Sequence, residues 1–393
     1  MHTDFLIVGG GIGGAVLAEL LGRGGKKVVL LEKSTGPPSY LRPEILWPAT
    51  IEVLCSLIPR EVWERDAARP LRGIEVSDGE RTHRPMTLEL LGSIKIQPWF
   101  TNPNLTREHL LRLGGFEVRR GVEVTSVLKA GDRISGVRAL DVTTGKGNEW
   151  LARWTIGDDG PQSLVRKGCG LQMERTIFPL DFHCFGFDWP ASFEPAIARA
   201  WLNEDVDRSG IIVLGAGELP GGKGIGLVAA RPKIADSNES VEEPWSRFCA
   251  MDPAIRQVVR DRQFPRDFVS IRRGWGHVPR YGVDGAILIG DAAHPVTPVG
   301  GQGANMSVAD ALTLAQLALG NEATLLEEYE RRRRPANQRS LEFSKWATRL
   351  WSLPDWCAPV SIFEFLLRSL SRYPAVMRNA LQSAATAFRS MTD

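Results

Sequence analysis

Residues Gly9-Gly10-Gly11-Ile12-Gly13-Gly14 constrain this chain more than any other segment. They follow a short apolar run, Asp4–Val8, that reads as a buried strand. A helical pattern comes next, with Val16, Leu17, Leu20 and Leu21 on one side and an end near Gly24-Gly25. Lys27–Glu32 (KVVLLE) then reads as a second strand. A crossover helix makes its two flanking strands parallel, so the N-terminus is a β-α-β unit. The cluster matches G-x-G-x-x-G. In that pattern the first glycine permits the turn and the second lets a diphosphate approach bare backbone. The third allows close helix–strand packing, with the anion on the helix N-terminus. Glu32 ends the second strand, 18 residues beyond Gly14. A carboxylate there can accept hydrogen bonds from ribose hydroxyls and argues against a 2′-phosphate. The unit points to a dinucleotide without separating NAD from FAD.

Composition removes several other classes. Lys and Arg total 48 against 46 Asp and Glu, a net charge of +2, which is no footprint for nucleic acid. The basic run Arg331–Arg334 follows Glu327, Glu328 and Glu330, so i,i+4 pairing on a solvated face accounts for it. Apolar residues at 43% and charged residues at 24% describe a globular chain. Its 393 residues set a prior of two to three domains. The cysteines, Cys55, Cys169, Cys184, Cys249 and Cys357, are odd in number and form no C-x-x-C, against a disulfide framework or zinc ribbon. No cluster has metal-ligand spacing, and no G-x-S-x-G marks a serine hydrolase. The longest uncharged stretch, Ala292–Ala309, carries Pro295, Pro298, Gln302 and Asn305 and is no membrane span. Without a basic leader at the N-terminus, a cytoplasmic location is the expectation. The C-terminus is rich in aromatics (Trp346, Trp351, Trp356, Phe363, Phe365). It reads as core helix, with membrane or partner contact as the alternative.

Between the ends, Asn104–Leu113 reads as a helix with Asn104 or Thr106 as N-cap. Glu117–Val127, Ile134–Val142 and Trp154–Gly157 read as strands, as does Ala286–Ile289. From Arg175 to Val269 the pattern suits a mainly antiparallel sheet over a ligand cavity. Gly215-Ala-Gly217-Glu-Leu-Pro220 reads as a turn, and a helix is expected from about Gly303. No second G-x-G-x-x-G and no internal repeat occur.

Two downstream segments narrow the choice of dinucleotide. One is Gly157-Asp158-Asp159-Gly160-Pro-Gln-Ser163-Leu-Val-Arg166. The other is Gly290-Asp291-Ala-Ala-His294-Pro-Val-Thr-Pro298-Val-Gly300-Gly301-Gln302-Gly303-Ala304-Asn305. With the N-terminal cluster, and in this order, they resemble the single-component FAD-dependent aromatic hydroxylases of the para-hydroxybenzoate hydroxylase fold. The ubiquinone-biosynthesis and quinolone-pathway monooxygenases belong to the same group. The resemblance covers residues 1–170 and 275–340 and says little about the stretch between.

The resemblance implies an α/β chain: a Rossmann-like FAD-binding domain with an inserted, mainly antiparallel β substrate domain and a helical C-terminus. Residues 1–72, 104–170 and 275–340 would form the FAD-binding domain, 73–103 and 171–274 the substrate domain, and 341–393 the C-terminal region. NADH or NADPH would reduce FAD transiently, and O2 would form a flavin hydroperoxide that hydroxylates an aromatic or similar apolar small molecule. A same-fold flavin reductase or dehydrogenase acting on a prenyl chain or C–C bond stays open, and so does a non-enzymatic prenyl-binding module. The expected cofactor-binding residues are Gly9, Gly11, Ile12, Gly13, Gly14, Glu32, Lys33, Arg42, Arg107, Asp159, Gly160, Asp291, Gly301, Gln302, Gly303, Ala304 and Asn305. Pro298 and Gly300 are the catalytic candidates. Asp291 would bind ribityl hydroxyls. The helix opened by Gly300–Gly303 would present backbone N–H groups to a flavin edge and stabilise negative charge on the reduced ring. The Pro298 carbonyl would lie near the reacting flavin carbon. Asp158 stands where the family usually has alanine, and an extra carboxylate beside a dinucleotide phosphate is unfavourable unless it turns to solvent. Phe178–Trp189, with Trp99 and Phe100, would wall the substrate cavity, with a core role for most of these aromatics as the alternative. His183 is a candidate substrate base, with a satisfied core histidine as the alternative. Glycine totals 40, about twelve more than the average of roughly 7% supplies, and these three segments hold eleven.

Overall fold

The computed structural model describes residues 2–38, 42–93, 97–203, 210–231, 242–271, 274–320 and 322–351. The first strand, His2–Val8, is sandwiched between Gly147–Gly157 and Val28–Glu32, and all three run parallel. Phe5, Leu6 and Ile7 have no exposed surface. Burial on both faces is what an unbroken apolar run in a parallel sheet predicts. Glu117–Arg120 extends the sheet beyond Val28–Glu32, and Ala286–Leu288 extends it beyond Gly147–Gly157. The chain thus enters this sheet three times.

Several boundaries differ from the sequence expectation for local reasons. The run 117–127 splits into Glu117–Arg120 and Val122–Ala130 at Gly121, whose φ is +69°. The helix expected from Asn104 spans Pro103–Leu111, and its N-cap is Asn102, whose side chain accepts from the Asn104 and Leu105 N–H groups. Pro103 suits the first helical position because its missing N–H needs no partner there. Gly215 and Gly217 lie inside the strand Ile211–Leu219; the turn comes at Pro220–Gly222. Gly217 is needed because a side chain there would meet the Phe100 ring.

The second sheet has seven strands in the order Val269–Ile271, Asp181–Asp188, Lys223–Ala230, Ile211–Leu219, Ile197–Leu202, Gly73–Ser77, Thr82–Met86. All neighbours are antiparallel except Ile197–Leu202 with Gly73–Ser77. Strand period two divides its side chains. Phe185, Phe187 and Val228 pack outward against Trp245, Phe248, Ile255 and Val258 of the helices Glu242–Met251 and Pro253–Val259. Phe182, Leu227 and Ala229 face the other way, toward Val296, Met306 and Ala309. A small sheet, Glu44–Leu46, Trp99–Thr101 and Ala68–Pro70, lies between the two larger ones. Segment 73–103 therefore divides: Gly73–Met86 joins the seven-stranded sheet and Trp99–Thr101 the small one.

The helix Gln302–Gly320 packs on the helix Ile12–Arg23, where Gly13 meets Ser307. The last described helix, Leu325–Trp351, runs straight through the boundary drawn at 340. Residues 352–393, weighed above as a helical or membrane-touching region, lie outside the described residues. Among the described residues no helix is long and apolar enough to cross a membrane.

Candidate cofactor and active site

A cavity of about 340 Å³ opens where the three glycine segments converge. Gly11 and Ile12 come from the first turn, Asp158 and Gly160 from the second segment, and Asp291, Pro298, Gly301, Gln302, Gly303 and Ala304 from the third. Arg42 and Arg107 also line it. Strand-end loops build all three segments, and loops at the carboxyl ends of parallel strands are where open α/β sheets bind ligands.

Each glycine of the first turn answers a steric demand. Gly9 has φ +103° and lies against the Asp158 carbonyl. A Cβ on Gly10 would stand 2.9 Å from Glu32 Oε2, and one on Gly11 2.5 Å from Asp158 Oδ2. Gly13 and Gly14 sit in the first turn of the helix, inside the packing against Ser307 and Asp158. Glu32 uses its carboxylate on backbone: Oε2 accepts from Gly10 N–H at 2.9 Å and Oε1 from Ser34 N–H at 2.7 Å. Burial alone would raise its pKa. The Ser34 N–H, the Arg107 charge and the Gly10 N–H outweigh it and hold the group below the usual range. Lys33, next in sequence, is exposed.

Asp159 does not border the cavity; it caps a helix. Its Oδ2 accepts from Leu164 N–H at 2.6 Å and Val165 N–H at 3.1 Å, opening Leu164–Gly168. Burial pushes its carboxyl up against those hydrogen bonds. Arg166 donates to Ala292 O at 2.9 Å and Pro161 O at 3.1 Å, tying the second segment to the third.

In the third segment Gly290, at φ +55°, begins a turn that carries Asp291 to the cavity. Gly300 and Gly301 follow at φ +81° and +62°, and Pro298 O accepts from Gly301 N–H at 3.0 Å. Asn305 is a clamp and does not line the cavity. It accepts from Trp47 N–H at 3.0 Å and Thr50 Oγ1 at 2.6 Å, and donates to Gly301 O and Ile45 O. Gln302 donates to Gly300 O at 3.0 Å.

Of the two roles open to Phe178–Trp189, Trp99 and Phe100, the described residues show the core role and not the cavity wall. Strand alternation sends Phe185 and Phe187 to the outer core, and Phe178 and Phe182 pack with Trp275. Trp99 stacks on Trp63 at 5.0 Å. Cys184, Leu227, Ile271 and Val296 line the cavity on that side, so it is aliphatic. His183 is a satisfied core side chain: Nδ1 lies 2.9 Å from Ser270 Oγ and the ring packs edge-on against Phe264.

Four residues were not read as site members. Glu44 lines the cavity, accepts from Thr101 Oγ1 at 2.7 Å, and burial raises its pKa against that bond and Arg42. Asp158 lies on the first helix turn. Asp310 and Arg333 form a fully buried ion pair beneath the Gly290 turn, joined by His294. Arg333 thus leaves the solvated basic run assigned to it. It falls on the buried stripe Leu326, Tyr329, Arg333, Asn337, Ser340, a 3.6-residue period that could have revealed it.

The side chains present fit FAD. Arg107 Nε and one terminal nitrogen are buried without a hydrogen-bond partner, as is Gln302 Oε1. Buried polar atoms of this kind are costly unless a ligand meets them. The Gly9–Gly14 turn brings its backbone to the cavity at Gly11 and Ile12.

A model of the family described as FAD binding domain matches residues 2–344. The 3-hydroxybenzoate 6-hydroxylase of Klebsiella oxytoca is 27% identical over 373 residues, 88% of this chain and 86% of that protein. The 6-methylpretetramide 4-monooxygenase of Streptomyces rimosus is 27% identical over 372 residues, 89% of this chain and 84% of that protein. Among solved structures, PqsL of Pseudomonas aeruginosa, a probable FAD-dependent monooxygenase, superposes with a TM-score of 0.71 at 25% identity, over 90% of this chain and 97% of that one. The p-nitrophenol 4-monooxygenase PnpA of Pseudomonas putida reaches 0.78 at 19% identity, over 98% of each, which shows the shared fold.

Proposed function

The chain belongs to the FAD binding domain family, and from that membership we propose that it is an FAD-dependent monooxygenase that hydroxylates an aromatic or similarly apolar small molecule. One observation carries the reading. A single cavity is bordered on one side by Asp291, Pro298 and the Gly301–Ala304 helix start, and on the other by Cys184, Leu227 and Ile271. The first set suits a flavin and the second an apolar substrate held beside it.

FAD, once reduced by NADH or NADPH, supplies the chemistry that activates dioxygen. The chain supplies placement. The Gly9–Gly14 turn and Arg107 would hold the diphosphate end. Asp291 would accept from ribityl hydroxyls. The N–H groups at the start of the Gln302 helix would favour negative charge on the reduced ring. Pro298 and Gly300 fix the loop that carries those groups. The aliphatic wall keeps water from the reacting atoms, which favours oxygen transfer over loss of hydrogen peroxide.

Purified protein is expected to be yellow and to release a flavin spectrum on heating; no flavin even after reconstitution would end the reading. Asp291→Ala is expected to retain FAD poorly. Product mass after turnover in labelled dioxygen distinguishes hydroxylation from a reductase acting on a prenyl or C–C bond. One labelled oxygen atom is expected, and its absence across an aromatic panel would favour the reductase.

A further inference from the structure

Asp158 is placed where an anion would otherwise bind. Its Oδ2 accepts from Gly14 N–H at 2.8 Å and stands 2.5 Å from where a Cβ on Gly11 would be. The carboxylate thus lies over the N-terminal turn of the Ile12–Arg23 helix. That turn has no side-chain cap of its own and no acidic residue in its first turn. In dinucleotide folds this helix end receives the diphosphate. A carboxylate and a diphosphate that are both ionised would repel across a few ångströms in a partly dry site.

The surroundings make the ionised form expensive before any ligand arrives. Asp291 approaches from the Gly290–Ala292 turn, Asp159 from the same loop, and Asp310 from the Gln302–Gly320 helix. Glu32 faces the turn from the second strand through Gly10. Of the arginines around the site, Arg333 pairs with Asp310 and Arg166 donates to two carbonyls, while Arg42 and Arg107 line the same cavity from the other segments. Burial pushes the Asp158 carboxyl well above the ordinary range, against the Gly14 hydrogen bond, and the neighbouring carboxylates add to the rise. Asp310 and Glu32 are instead held low, by His294 and Arg333 and by backbone N–H groups with Arg107, so neither is the group that takes up a proton.

We propose that Asp158 is a cofactor-binding residue that shares the helix N-terminus with the FAD diphosphate as the neutral acid, so that at alkaline pH, where the side chain of the free protein is ionised, FAD binding takes up one proton from solvent. A carboxyl hydrogen can donate to a phosphate oxygen while the other oxygen keeps the Gly14 N–H. Ionised, the same side chain excludes the diphosphate. The inference rests on the FAD reading and adds to it a pH-dependent affinity.

The test is FAD affinity by flavin fluorescence on apoprotein, from about pH 5.5 to about pH 9. It is paired with calorimetry in two buffers of different ionisation enthalpy. Wild type is expected to lose affinity by up to about tenfold per pH unit above the Asp158 pKa, with proton uptake rising from none below that pKa to close to one per FAD above it. Asp158→Asn and Asp158→Ala are expected to bind FAD with a flat pH profile, no proton uptake, and affinity at alkaline pH above that of wild type. Riboflavin, which lacks the diphosphate, is expected to show no slope with any of the three. A flat wild-type profile overturns the proposal, as does a slope that persists in both variants or an equal slope with riboflavin. No FAD binding at any pH by wild type or either folded variant would instead overturn the FAD reading itself.

Discussion

Arg333 donates from Nε to Asp310 Oδ1 across 2.8 Å, and neither side chain has any exposed surface. Asp310 also accepts from Gly290 N–H, lies 2.6 Å from His294 Nε2, and accepts from Asn337 Nδ2 at 3.0 Å. It is the hub that joins the last helix to the turn presenting Asp291. Asp310→Ala would strand a buried guanidinium, a change that costs about 3–5 kcal/mol. The urea midpoint is expected to fall accordingly with an unchanged slope. FAD retention should fall as well, because Gly290 loses its anchor. A midpoint equal to that of wild type would remove the hub role. Burial opposes ionisation of Asp310, but His294 and Arg333 hold its pKa far below the ordinary carboxylate value. A depressed folded value places its stabilisation above the unfolded pKa, about 3.9, to be lost as pH falls below it.

Gly13 and Ser307 set the closest approach of two helices. A Cβ on Gly13 would overlap Ser307 Oγ and stand 3.2 Å from Ser307 Cβ. Gly13→Ala is expected to destabilise by about 1–3 kcal/mol through overpacking. Ser307→Gly in the same chain should return part of that loss, since it removes both side-chain atoms and leaves the Ser307 carbonyl at 3.0 Å. A double-mutant cycle in urea reads the coupling. Additive losses would mean that the two positions do not meet.

The sequence made the parallel core and its three glycine segments readable because both are local signals. Gly9–Gly14 announces a turn by composition, and Phe5–Val8 a doubly buried strand by its unbroken apolar run. The cavity wall was not readable. Phe182 and Phe185 differ by three positions, so they lie on opposite faces of one strand. Which face meets the flavin side depends on pairing with Lys223–Ala230, roughly forty residues away. Arg333 was missed for a different reason. Its neighbours Arg331 and Arg332 pair with Glu328 on the surface as expected, and only helical phase separates Arg333 from them. Asp159 braces neighbouring backbone with one oxygen, Oδ2, at the start of the short helix that follows, and its Oδ1 is buried without a partner.

His277 is expected to make folding sensitive to mild acid. Its Nδ1 lies 2.7 Å from Gln338 Oε1 and its Nε2 2.8 Å from Tyr281 Oη. Burial pushes its pKa down to about 4; Gln338 opposes this, and the His294 and Arg334 charges add to the fall. The folded value lies below the ordinary 6.5, so between these two values the unfolded chain binds the proton first. Stability is therefore full above pH 6.5 and falls as pH drops toward 4. Urea midpoints at about pH 7 and about pH 5 should differ more for wild type than for His277→Gln. Equal differences would place the acid sensitivity elsewhere.

Arg107 separates a cofactor-binding role from a structural one. Its Nε and one terminal nitrogen are buried and unbonded, and the nearest carboxylate oxygen, Glu108 Oε1, is 3.9 Å from the latter. Glu108 already has Arg120 at 2.7 Å. If Arg107 exists to brace Glu108, Arg107→Ala lowers stability and leaves FAD affinity alone. If its free donors await the cofactor, the same change weakens FAD by about tenfold to a hundredfold, the range for a lost hydrogen bond to a charged group. Apoprotein stability would then change little, because two buried unbonded donors are removed with it. We expect the second outcome, read from FAD titration alongside urea melts of the apoprotein. Arg107→Lys should recover part of the affinity, because it restores a point charge without the planar fork.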